Sequence, residues 1–222
     1  KINTALDNRF AEAEDKLKAA QSELENNIAA AESGAAVISA SAEELAKYNT
    51  CYVGDTANKT IYLTFDAGYE NGNVGKVLDV LKAEGATGAF FILGNLPEKQ
   101  PELVRRMAAE GHLVCNHTFT HKNLCGASAG ALTAELKRLE EACTAIGVTV
   151  SPYYRPPEGC FDEAMLREAR SAGYKTVFWS FAYADWDNEK QPEPEKAKQL
   201  LADAGYPNGF TMTITVPGGG EQ

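Results

Sequence analysis

Apolar residues recur along this chain with two different periods, and the switch between them divides it. In residues 1 to about 45, Leu6, Phe10, Ala13, Leu17, Ala20 and Leu24, followed by Ile28, keep to one helical face. They form a heptad seam with Ala on one of its two positions. The seam predicts one long helix over residues 5–31. Its stripe of Phe10, Leu17 and Leu24 must be covered, because each large side chain left in water costs roughly 1.5–3 kcal/mol. Another chain, by self-association, or the surface of the following domain would cover it. "ESGAAVISASAEEL" then breaks the pattern and restarts it, with Ser41 placed to cap a short helix.

From Thr60 to about Ser180 the pattern changes to alternating strand and helix signals. "TIYLTF", "TGAFFIL", "HLVCN" and "KTVFWS" read as strands. "NVGKVLDVLKAEG", "PELVRRMAAEG", "ALTAELKRLEEACTAIG" and "DEAMLREARSAG" read as helices, each ending in Gly, the residue favoured just past a helix C-terminus. This alternation predicts an α/β fold, a mostly parallel sheet or barrel, whose chemistry sits at the C-terminal ends of its strands. Asp66 stands at such an end, in "IYLTFDAGYENGN". It is delivered to the mouth of a site, or it merely closes a buried strand at a turn.

Composition narrows the classes. The formal charge of −10 argues against nucleic acid and anionic membrane surfaces, which require basic patches. With 44% hydrophobic residues the chain can bury a core. No apolar run approaches the roughly 18 residues of a membrane span. The chain begins at Lys1 with no signal-peptide hydrophobic region, as a mature form or a fragment would. Its cysteines, Cys51, Cys115, Cys125, Cys143 and Cys160, are odd in number and form no C-x-x-C pair, so they read as buried free thiols.

Three clusters besides Asp66 follow strand-like runs: "NHTFTH" with His117 and His121, "YYRPPEG" with Arg155, and "FAYADW" with Asp185 and Trp186. Each is weak alone. H-x-x-x-H is a metal-ligand spacing when both rings share a helical face, and also a chance spacing. "RPP" makes a rigid extended turn without any catalytic purpose, and a Trp after an Asp is ordinary packing.

In order, "TFDAG", "HTFTH", "RPPEG" and "DW" on alternating β/α elements resemble the polysaccharide deacetylases of carbohydrate esterase family 4, the NodB homology domain. The resemblance covers about residues 46–192 and is nearest the peptidoglycan branch acting on N-acetylmuramic acid, δ-lactam-forming enzymes included. It implies a distorted, incomplete (β/α) barrel, and metal-assisted removal of acetate from an N-acetylated glycan at the cell envelope or outside the cell. In the implied site His117 and His121 bind a divalent ion, preferably zinc. Asp66 is the general base, and Arg155 keeps its carboxylate ionised and oriented. Pro156 and Pro157 lack an N–H, so Glu158 supplies the first backbone donor for an oxyanion. Tyr69, Pro157 and Trp186 contact substrate, and Asp185 tunes a histidine acid.

Two departures follow. The family's second Asp, a third metal ligand, is replaced by Ala67, leaving Glu70 or Asn71 as substitutes. The family's closing Leu-Leu-His, whose His protonates the leaving amine, has no counterpart, since the only histidines are His112, His117 and His121. Residues 193–222 instead resemble a segment of periplasmic peptide-binding proteins of the solute-binding family 5 type. They predict a helix over 193–204 and a strand over 210–216, a tail that closes the fold without the acid. Slow deacetylation is therefore expected. The alternatives are a non-catalytic glycan-binding relative, a truncated catalytic domain, or a structural coiled-coil protein resting on the N-terminal heptads alone.

Overall fold

The computed structural model describes residues 42–52, 54, 60–180, 195, 198–199, 202 and 213–214. The heptad helix of residues 5–31, Ser41, Asp185 and Trp186 lie outside the described residues. In chain order the elements are α1 (Ala42–Ala46), β1 (Thr50–Cys51), β2 (Thr60–Ile61), β3 (Thr64–Ala67), α2 (Val74–Ala83), β4 (Ala89–Ile92), α3 (Asn95–Lys99), α4 (Pro101–Ala109) and β5 (Leu113–Asn116). Then come α5 (Ala131–Ala145), β6 (Tyr153–Tyr154), a 3₁₀ turn (Pro157–Gly159), α6 (Glu163–Ser171), β7 (Lys175–Val177) and β8 (Thr213–Ile214). Six strands pair in the order β1-β7-β6-β5-β4-β3, every neighbour parallel. This is a curled half-barrel flanked by helices, the incomplete (β/α) barrel expected from the sequence.

The glycine signals hold at all four helix ends. Gly85, Gly111, Gly147 and Gly173 have φ of 61°, 82°, 78° and 88°. After α2 the Gly85 N–H bonds to the Lys82 carbonyl and the Ala86 N–H to that of Leu81, at 3.3 and 2.8 Å. The same pair of bonds recurs after α4, α5 and α6. This is the Schellman arrangement, which satisfies the last carbonyls and turns the chain toward the next strand.

The pleat sorts side chains onto two faces. On the outer face Ala67, Phe90, Ile92 and Val114 pack with helical Leu78, Leu81, Val104, Met107 and Leu139. On the inner face Ala89, Phe91, Cys115 and Val177 form a separate cluster. Asp66 is in register with Phe91, and Phe91 with Cys115, so Asp66 lies on the inner face at the strand ends.

Three expectations change. "TIYLTF" is not one strand: Thr60–Ile61 pairs in parallel with Thr213–Ile214 in a separate two-stranded sheet, and Thr64–Ala67 joins the barrel. The partner strand falls inside the predicted 210–216, and Glu195, Lys198, Gln199 and Ala202 are helical inside the predicted 193–204. Secondly, α3 is unanticipated: its Pro97 sits in the first turn, where the missing N–H has no intrahelical partner to lose. Thirdly, Cys125 and Cys160 are not free thiols. Two loops bring their Cα atoms to 6.2 Å and they form a disulfide. Cys51, Cys115 and Cys143 are free, the last two buried as expected. Burial pushes the Cys143 thiol up to about 11 and that of Cys115 higher still, so neither is reactive.

Candidate active site

Strand alternation delivers the site. At the barrel's C-terminal rim Ala67, Asn116 and Tyr154 face the helices, so their neighbours Asp66, His117 and Arg155 face the interior. Asn116 is fully buried, and its amide donates to the Leu136 carbonyl and the Tyr174 hydroxyl, both at 3.1 Å. Tyr154 packs with Leu132, Leu136, Met165 and Ala169. The row Ala67↔Ile92↔Asn116↔Tyr154 fixes the register of four strands, and the functional residues stand beside it.

Arg155 organises the interior. It is 1% exposed, and its guanidinium lies over the Phe91 ring at 4.2 Å and the Trp179 ring at 4.7 Å. Nη1 donates to Asp66 Oδ1 at 2.7 Å, Nη2 to Thr64 Oγ1 at 2.9 Å, and Nε to the Val177 carbonyl at 3.1 Å. A charged group this deep is tolerable only with its donors matched, and here they are. The Asp66 side chain is 30% exposed, so one face is open to solvent while the other is fixed.

The His117 Nδ1 lies 2.8 Å from the Arg155 carbonyl. A carbonyl only accepts, so Nδ1 carries the proton and Nε2 holds a lone pair. Burial pushes this imidazole below its ordinary pKa and so favours the neutral ring, with the Asp66 charge pulling the other way. Nε2 faces Asp66 Oδ2 at 3.7 Å, beyond hydrogen-bond reach. Two acceptors thus point into one small space.

His121 comes close, its ring centroid 4.9 Å from that of His117, but not on a helix. "HTFTH" is a loop, with Thr118 and His121 at φ 71° and 58°. The helical face that would explain the spacing is absent, because the loop's N–H groups turn to the carboxylate of Glu135 on α5. Phe119 N, Thr120 N and Thr120 Oγ1 all donate to Glu135 Oε2, at 3.1, 2.7 and 2.8 Å. His121 N donates to Thr118 Oγ1 at 3.0 Å.

The other predicted residues separate. Glu158 has φ 59°, and no acceptor for its N–H stands among the described residues, while its carboxylate accepts from Asn123 Nδ2 at 2.8 Å. Pro157 is buried in the same turn, and Tyr69 is 77% exposed. Ala67 is buried among outer-face core residues. The Glu70 carboxylate accepts from the Gly72 and Val74 N–H groups at the start of α2. Among the described residues no cluster of three or more His, Cys, Asp or Glu is arranged for a metal. Sequence reasoning missed Thr64, Trp179 and Glu135. Thr64 was findable two residues before Asp66 on one strand face, and Trp179 at the end of "KTVFW". Nothing local marked Glu135.

The chain belongs to the polysaccharide deacetylase family, whose model matches residues 53–177. It is 43% identical over 171 residues to the peptidoglycan-N-acetylmuramic acid deacetylase PdaA of Bacillus subtilis, covering 77% of this chain and 65% of that protein. The chain thus spans just under two thirds of that relative's length. The solved structure of Bacillus subtilis PdaA, a family 4 carbohydrate esterase, matches with a TM-score of 0.66 at 42% identity, covering 78% of this chain and 74% of that one. A family 4 carbohydrate esterase from Bacillus anthracis matches with a TM-score of 0.67 at 33% identity, covering 82% and 93%. None of these similarities supports a likeness of residues 193–222 to solute-binding proteins.

Proposed function

We propose that this chain is a metal-dependent hydrolase that removes N-acetyl groups from cell-wall polysaccharide, acting at the cell envelope on the N-acetylmuramic acid of peptidoglycan. The observation that carries the reading is the Arg155–Asp66–His117 constellation at the barrel rim. The His117 lone pair and the Asp66 carboxylate face each other across 3.7 Å, a repulsive arrangement that a cation relieves. His117 and His121 would hold the ion, and imidazole donors suit zinc. With only two protein donors it binds more weakly than in a three-ligand site. When bound, it supplies Lewis-acid polarisation of the acetyl carbonyl and a more acidic water.

The chain's own residues do the rest. Asp66 takes the proton of the attacking water. Arg155 holds that carboxylate ionised and aimed, using the paired geometry guanidinium provides. The Glu158 N–H, which has no acceptor among the described residues, would donate to the oxyanion that develops at the carbonyl. Breaking the C–N bond then expels an amine that needs a proton. His112 cannot provide it, because it lies before β5, at the opposite end of the barrel from His117. Within residues 1–222, Asp66, once protonated, or water takes that role. A positioned acid contributes about 10²–10⁴-fold, so turnover is slow rather than absent.

The test is acetate release from a defined peptidoglycan fragment with zinc added. Slow release that Asp66→Asn abolishes supports the reading. No release at saturating zinc while the fragment still binds would mean a glycan-binding relative instead. Rates at the level of complete family members would refute the missing-acid argument.

A further inference from the structure

Beyond the histidines, the loop that carries them has an organiser. Between Thr118 and His121, both in the left-handed region without being glycine, the chain makes its turn against one oxygen atom. Glu135 Oε2 accepts from Phe119 N, Thr120 N and Thr120 Oγ1, and the Glu135 side chain is only 12% exposed. The other oxygen lies 3.5 Å from Arg138 Nη1, whose guanidinium covers the Phe119 ring at 4.0 Å. On the far side the Phe119 carbonyl accepts from Gly94 N at 3.0 Å. A Cβ at Gly94 would lie 2.3 Å from that ring, so the loop is gripped from both sides. His117 needs none of this, since its ring is fixed by the Arg155 carbonyl. His121 has no side-chain hydrogen bond among the described residues, and its place depends on the backbone.

We infer that Glu135 is the positioning residue for His121. Its carboxylate draws together three donors that would otherwise turn to water. It thereby holds an unfavourable pair of backbone conformations at the one place that brings the second imidazole beside the first. The inference rests on the proposed deacetylase reading for its consequence in catalysis, but not for the geometry.

The experiment compares Glu135→Ala, Glu135→Gln and Glu168→Ala in the full chain. Glu168 is the control because its Oε1 accepts from Thr133 N and Thr133 Oγ1 at 2.7 and 2.8 Å, the same kind of contact away from the histidines. Imidazole NMR signals of the metal-free protein, assigned with His121→Gln, are the first readout. Glu135→Ala should move or broaden the His121 signals and leave those of His117 in place. Glu135→Gln, whose carbonyl can occupy the same position, should restore them. In acetate release, kcat should fall about 10²-fold for Glu135→Ala with KM nearly unchanged, the loss expected from a misplaced group. Unchanged His121 signals in Glu135→Ala would overturn the inference. So would equal effects on both histidines, or the same effects from Glu168→Ala. If the wild type releases no acetate, the functional reading fails and the NMR comparison still decides the role of Glu135.

Discussion

Asp66 reaches the site on a strand and His117 and Arg155 one residue past strand ends, whereas His121 and Glu158 reach it on loops, and the two groups are secured differently. The strand group is locked by alternation. Each functional residue is preceded or followed by one buried on the outer face, and Arg155 ties β3, β5 and β7 through its side chain and carbonyl. The loop group sits at positive φ and is held by polar tethers: Glu135 for the histidine loop, Asn123 and the Cys125–Cys160 bond for the Glu158 turn. Damage to the first group should therefore loosen the barrel itself, and damage to the second its loops alone.

Arg155→Ala tests the first half most severely. It leaves the Asp66 carboxylate and the Val177 carbonyl without their donor, at a cost of about 3 kcal/mol or more. Urea unfolding should show this together with lost activity, and a variant as stable as wild type would break the comparison. Next, Asp66→Asn keeps the shape and an acceptor for Arg155 but removes its counter-charge, so it should lose at least about 10²–10⁴-fold in acetate release and lower the unfolding midpoint by less than Arg155→Ala does. The loop half is tested by the paired Cys125→Ser and Cys160→Ser change. It should cost about 2–4 kcal/mol, since the bond closes a long loop in the unfolded chain. Hydrogen exchange should quicken at residues 119–127 and 157–162 while the β3–β5 amides hold. Uniform acceleration would mean that the disulfide secures the barrel and not the loops.

The smallest effect concerns His112, a strand-entry histidine outside the site. Gly88 N donates to its Nδ1 at 3.2 Å, and burial pushes its pKa below the ordinary 6.5. The unfolded chain therefore takes up a proton that the folded one resists. This contribution to stability is complete above pH 6.5 and is lost as pH falls through 6.5 toward the folded value. Unfolding midpoints measured from pH 7.5 to 5.5 should decline less in His112→Gln than in wild type. Parallel curves would remove His112 from the account.

The strand group was legible in the sequence because its cues are local. A β-branched run ending in Asp66, a His just past "HLVCN" and an Arg just past "YY" follow from period-2 alternation, and the four helix-end glycines marked where strands begin. The loop group was only half legible. The rings of His117 and His121 do come together, but on a loop and not on a helical face, because the competing acceptor, Glu135, lies in the next helix. The division of "TIYLTF" was hidden because Thr60–Ile61 pairs with Thr213–Ile214, far along the chain. The disulfide depends on two loops meeting, which no local pattern records. Nor did the sequence show that the Glu70 carboxylate serves the backbone N–H groups of Gly72 and Val74.

Arg155 also makes the Asp66–His117 geometry a report on strand alignment. β6 is only two residues long, too short for backbone pairing alone to hold it in one position against its neighbours. A slip of one residue would send Tyr154 inward and Arg155 into the apolar layer beneath the helices. Such a misthreaded chain would keep its helices and most of its compactness, so circular dichroism would pass it as native. It would lack the partner of Asp66 and the carbonyl that sets the His117 tautomer. For preparations of this protein, the proposed acetate release per mole would therefore be a more discriminating measure of correct assembly than secondary-structure content.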